Sequence, residues 1–177
     1  MTYSGGRVLL GSQGEGQASR FRIWVMISVG LAAILFQVYV PLFFPFLSFL
    51  EMPLLVVLYF AFMRRSQIVG LTVGALMGLA QDSLSKKPLG MFGISKTLVG
   101  YFAASVGVRL DVDHPVIRFL LAMAFYFFHY FFYWMMSRAL LNQQVAFELQ
   151  RTSVLALLNA LVGVAVFHFL DRFRHAA

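Results

Sequence analysis

The sequence predicts an all-α, polytopic membrane bundle of six transmembrane helices. Three observations lead there. Hydrophobic residues make up 60% of the chain and charged residues only 12%, against about 45–50% and about 25% in a soluble domain. The apolar residues fall into long runs, and a helix needs about 20 of them to cross the hydrocarbon core. The Lys and Arg residues lie between the runs and favour one side.

The elements follow in order. Residues 1–20 are rich in Gly, Ser and Gln and read as a flexible cytoplasmic tail. The apolar run Ile23–Val40 is long, and no small-x-small cleavage site closes it. It therefore reads as a retained first helix rather than a signal peptide, stopped by Pro41. The second helix is placed at Phe46–Met63, entered through a proline-broken turn and carrying Glu51. Ile68–Ala80 is the third, starting near Arg65, and Met91–Val108 is the fourth. Val116–Ser137 and Ser153–Leu170 complete the set. Residues 21–174 thus form one six-helix transmembrane domain, and 175–177 are a C-terminal tail.

Charge sets the expected direction. With the N-terminus in the cytoplasm, the inner side receives nine arginines: Arg7, Arg20, Arg22, Arg64, Arg65, Arg109, Arg118, Arg172 and Arg174. The outer side receives four cations: Lys86, Lys87, Arg138 and Arg151. That is the positive-inside pattern, with both termini inside. The formal charge of +7 does not signal nucleic acid, because the basic residues flank apolar segments and form no patch on a soluble fold. The chain has no cysteine, which excludes disulfides, thiolate catalysis and cysteine metal sites.

Gly70, Gly74 and Gly78 recur every four residues and share one face of the third helix. Such a stripe lets a neighbouring backbone approach, within the bundle or in another protein. Gly93, Gly100, Ala104 and Gly107 on the fourth helix offer an internal mate. Asn159, four residues before Gly163, can bond across an interface. Asp82 ends the third helix, where the helix dipole disfavours a carboxylate. Two readings explain it. It caps the turn Ser83–Pro88 through backbone N–H groups, or it pairs with Lys96. Lys96 lies six residues past Gly90, about 9 Å deep. A lysine at that depth needs a partner, and Asp82 and Glu51 both lie toward the same face.

The stretch "LAQDSLSKKPLGMFGISKTLVGYF" resembles the signature region of the MreD family of rod shape-determining membrane proteins. The matching residues are Gly78, Asp82, Leu84, Ser85, Pro88, Leu89, Gly90, Gly100 and Tyr101. Gln37 near the end of the first helix, "MPLLVVLYFAF" in the second and Asn159 in the last fit around it, so the resemblance covers Arg20 to Arg174. Two features depart from it: Lys86 and Lys87 in the turn, and Glu51-Met52-Pro53 opening the second helix. The resemblance implies a multi-pass protein of the bacterial inner (cytoplasmic) membrane that binds MreC directly. MreB, RodZ, RodA and a class B penicillin-binding protein are the implied partners in the same peptidoglycan-synthesising elongasome. It also implies a fold similar to the substrate-binding subunits of energy-coupling-factor transporters, with Asp82 and the Pro-Leu-Gly turn fixing the hairpin between the third and fourth helices.

Chemistry is sparsely signalled. No HExxH or GxSxG occurs. His129, mid-membrane in the fifth helix, lacks a carboxylate or His at i+3 or i+4 and reads as a hydrogen-bonded packing residue rather than a metal ligand. A Ser/His or Glu/His set from Ser137, His129 and Glu51 is the catalytic alternative. A vitamin-like carrier would need convergent polar groups, and Gln37, Lys96, His129 and Asn159 look scattered. The reading is a non-enzymatic scaffold with no catalytic, metal or cofactor site. The carrier is the alternative.

Overall fold

The computed structural model describes residues 23–85, 88–141 and 146–173. Residues 1–22 (with Arg7, Arg20 and Arg22), Lys86, Lys87, residues 142–145 and residues 174–177 (with Arg174) lie outside these residues. The described chain forms α1 (Ile23–Phe43), α2 (Met52–Arg64), α3 (Gln67–Leu84), α4 (Met91–Gly107), α5 (Pro115–Leu141) and α6 (Leu149–Leu170). Short 3₁₀ turns follow α1 at Pro45–Phe49 and α6 at Asp171–Phe173. By length and composition α1, α5 and the stretch Leu149–Phe173 can each cross a membrane.

The second helix differs from expectation. Phe46–Met63 is not continuous: the chain runs through the 3₁₀ turn, breaks at Leu50 and Glu51, and starts α2 only at Met52. Proline explains both starts, because Pro45 and Pro53 sit in first-turn positions where a missing N–H costs nothing. α2 has 13 residues, about 20 Å of rise, against a hydrocarbon core of about 30 Å. Pro41 does not end α1, which continues to Phe43. A proline in the last turn loses only one internal bond. α3 runs on to Leu84, so Asp82 lies in its last turn.

The short α2 is the centre of the bundle. Every residue from Pro53 to Met63 is buried, as a helix apolar on all sides requires. α1, α3, α4, α5 and α6 all pack against it. Around it, α1 meets α3, α3 meets α4, α4 meets α5 and α5 meets α6. Aromatic rings fill the core around the second half of α2. Phe167 of α6 lies 5.6 Å from Tyr59 and 6.3 Å from Phe62, and Phe62 lies 5.9 Å from Phe125. α2 ends at Arg65, which adopts a left-handed φ of 51° and donates its N–H to the Ala61 carbonyl.

α3 and α4 are the most closely packed pair, and the glycine stripe is the reason. Gly70 faces the Gly100 carbonyl, Gly74 the Lys96 carbonyl and Gly78 the Phe92 carbonyl. Each would drive a Cβ into the opposing backbone: one on Gly74 would stand 3.0 Å from the Thr97 Cα, and one on Gly78 2.7 Å from the Gly93 Cα. The stripe thus makes an internal contact. Gly107 in turn lies against Phe62 of α2, and Gly163 against Leu55.

Gly74→Val should therefore destabilise the folded protein by about 2 kcal/mol or more, the cost of overpacking. Leu76→Ala, at a site 65% exposed on the same helix, should change little. Unfolding in mixed micelles followed by circular dichroism separates the two.

Candidate functional site

The break before α2 places helix-opening backbone groups inside the bundle. α2 begins level with Gln37, six residues short of the end of α1, or about 9 Å in at helical rise. An N–H left bare there would cost several kcal/mol. Two side-chain amides prevent this. Gln37 Oε1 accepts from the Met52 N–H at 3.1 Å, and Asn159 Oδ1 from the Glu51 N–H at 2.8 Å. Asn159 also donates through Nδ2 to the Phe49 and Leu155 carbonyls, each at 2.9 Å. This fully buried residue ties α6 to both sides of the break.

Glu51 then meets Lys96. The Lys96 Nζ lies 3.3 Å from Glu51 Oε2, and the lysine side chain is wholly buried while that of Glu51 is 18% exposed. The ammonium also sits 4.3 Å from the Phe92 ring centroid, where the ring face attracts it. A buried charge that loses its partner is costly, so this pair joins α4 to the break. Of the four polar groups that look scattered in sequence, Gln37, Lys96 and Asn159 converge with Glu51 in one polar knot, while His129 packs on Ser95 apart from it.

Asp82 belongs to a second arrangement. Its carboxylate accepts three backbone N–H bonds, from Gly90 (2.9 Å), Phe92 (3.1 Å) and Gly93 (3.0 Å). The carboxylate thus accepts backbone N–H groups as the capping reading has it, but from residues that open α4, just beyond the turn Ser83–Pro88. These bonds exclude the Lys96 alternative, because Glu51 is the carboxylate on Lys96. The positive end of α4 offsets the unfavourable end of α3. Gly90 reaches this geometry with a φ of +98°, which residues with a Cβ rarely adopt. The other hairpin residues are dispersed: Ser85 closes α3, while Pro88, Leu89 and Tyr101 are exposed.

Two further clusters were not legible as such. His129 is buried against Ser95 of α4, whose Oγ lies 2.8 Å from Nδ1 and 2.9 Å from the His129 carbonyl. One hydroxyl hydrogen serves one acceptor, so both contacts form when Ser95 donates to the carbonyl and Nδ1–H donates to Ser95. That arrangement is the reverse of a base activating a nucleophile. Ser137 instead donates to the Tyr133 carbonyl of its own helix. At the opposite end of the bundle, buried Arg118 donates to the Val112 carbonyl (2.7 Å) and pairs with Asp171 (2.6 Å) and Asp113 (3.3 Å). Tyr59 donates to the same Asp171 at 3.0 Å. The sequence signal was an arginine one turn inside an apolar helix, with Asp171 just past another.

Among the described residues no three His, Asp or Glu side chains gather as a metal site. A family model described as rod shape-determining protein MreD matches residues 17–173 of the 177-residue chain. No curated protein and no solved structure matches.

The knot predicts a specific energetic coupling. Lys96→Met alone should cost about 3–5 kcal/mol, because it strands Glu51. Glu51→Gln added to it should restore a large part of that loss. Additive losses in the double-mutant cycle would contradict the pairing.

Proposed function

The chain belongs to the MreD family of rod shape-determining membrane proteins, and from that premise we propose that it is a non-enzymatic scaffold of the bacterial cell-wall elongation machinery. It binds MreC directly in the cytoplasmic membrane and stands in one assembly with MreB, RodZ, RodA and a class B penicillin-binding protein. All six helices cross or enter the bilayer, with both termini in the cytoplasm. Arg64, Arg65, Arg109, Arg118 and Arg172 lie near helix ends that alternation along the chain assigns to one side, in support of that direction. Residues 21–174 act as one domain. Its architecture resembles that of the energy-coupling-factor substrate-binding subunits.

One observation carries the scaffold reading over the carrier. The polar groups at the helix break and the hairpin are committed to the fold: Gln37 and Asn159 to backbone, Glu51 to Lys96, Asp82 to the start of α4. A carrier needs several such groups aimed into a pocket. The specific feature favouring a vitamin-like binding subunit is an open cleft of about 650 Å³ between Phe49 and the stretch Glu148–Leu155.

Deleting the gene tests both readings. A scaffold predicts rounding of rod-shaped cells, with MreC recovered on the tagged protein from native membranes. A nutrient requirement in cells of normal shape, with an ATPase pair recovered instead, would contradict it.

A further inference from the structure

The ring of helices around α2 is incomplete. Equal rods pack about six around one, at the 8–10 Å spacing of helix pairs. Among the described residues five helices surround α2, and no close packing joins α6 back to α1. At the polar knot Gln37 and Asn159 both reach the start of α2. Beyond the knot a groove runs between α1 and α6, lined from both helices. The opening is a groove of about 450 Å³ whose floor is Met52 and Val56 of α2 and whose walls include Ala32, Ala33 and Ala165. A further 350 Å³ continues it past Ala32 and Phe169 to Trp24, at the start of α1. From Trp24 to Phe36 is twelve residues, about 18 Å of helix.

The lining decides what fits. It holds no charged residue among the described residues, and Ser28 is its one hydroxyl. A hydrophilic segment would lose its hydration there. A phospholipid could place only its acyl chains there, with no Lys or Arg in the lining to hold its phosphate. An uncharged transmembrane helix loses nothing, and the small side chains at Ala32, Ala33 and Ala165 let its backbone come near α2. We infer that the α1–α6 groove is the seat of a partner's apolar transmembrane helix, which completes the ring around α2. On the function proposed above, on which this assignment rests, that partner is MreC.

The chain contains no cysteine, so an introduced one is unique. Ala32→Cys, Ala165→Cys and, as a control at an exposed position outside the groove, Leu76→Cys are each produced with MreC carrying single cysteines along its membrane segment. Disulfide formation is read in native membranes, and co-purification is read in parallel. Ala32→Cys and Ala165→Cys should cross-link to MreC at positions recurring every three to four residues, at least tenfold above Leu76→Cys. Intact co-purification without groove cross-links overturns the groove assignment and leaves the scaffold function standing. So do cross-links between two copies of this chain, or groove positions reached only by a lipid-borne thiol reagent. Loss of co-purification overturns both.

Discussion

The bundle depends on two backbone N–H groups, at Glu51 and Met52, that begin a helix inside an apolar interior. In water such groups would be solvated. In hydrocarbon each must find a protein acceptor. Gln37 and Asn159 supply the acceptors, and with them satisfied α2 can start inside the bundle and stand as a buried axle. Each of the other five helices packs against that axle.

Polar side chains then fasten both ends. At one end, Glu51 and Lys96 bring α4 to the helix break. At the other, Arg118 gathers α5, α6 and the loop before α5 around Asp171, and Tyr59 of α2 joins them. Between the fastenings the contacts are apolar, aromatic or backbone against backbone. Lipid tails are as apolar as the helices, so burial of greasy surface alone does not select one arrangement in a membrane. Polar pairs and glycine contacts do. An interior fastened in this way fits the scaffold function proposed above.

The helical segments could be read from the sequence because apolar runs of spanning length have few alternatives. The α3–α4 contact was legible as well, since glycines spaced four apart name both the face and the closeness of approach. Shared depth and opposite charge narrowed the partner of Lys96 to Glu51 or Asp82. The helix break was hidden. Pro45 and Pro53 mark two starts, yet Phe46–Met63 also has the length of one span, and nothing local separates the two. The groups that stabilise the break lie elsewhere: Asn159 is 108 residues from Glu51. Arg118 and Asp171 are 53 apart, and likewise appear in sequence only as charges to be counted. Periodicity reports which face of a helix is apolar. It carries no information about which distant side chain will meet it.

The most direct test is amide hydrogen exchange at Glu51 and Met52 in lipid bicelles, in the native chain and in Asn159→Leu and Gln37→Leu. The account predicts slow exchange at both amides in the native chain. Each substitution should accelerate its own amide by about tenfold or more, as loss of a net hydrogen bond of about 1.4 kcal/mol would. Fast exchange at these amides in the native chain, or no change on removing the side-chain acceptors, would contradict it.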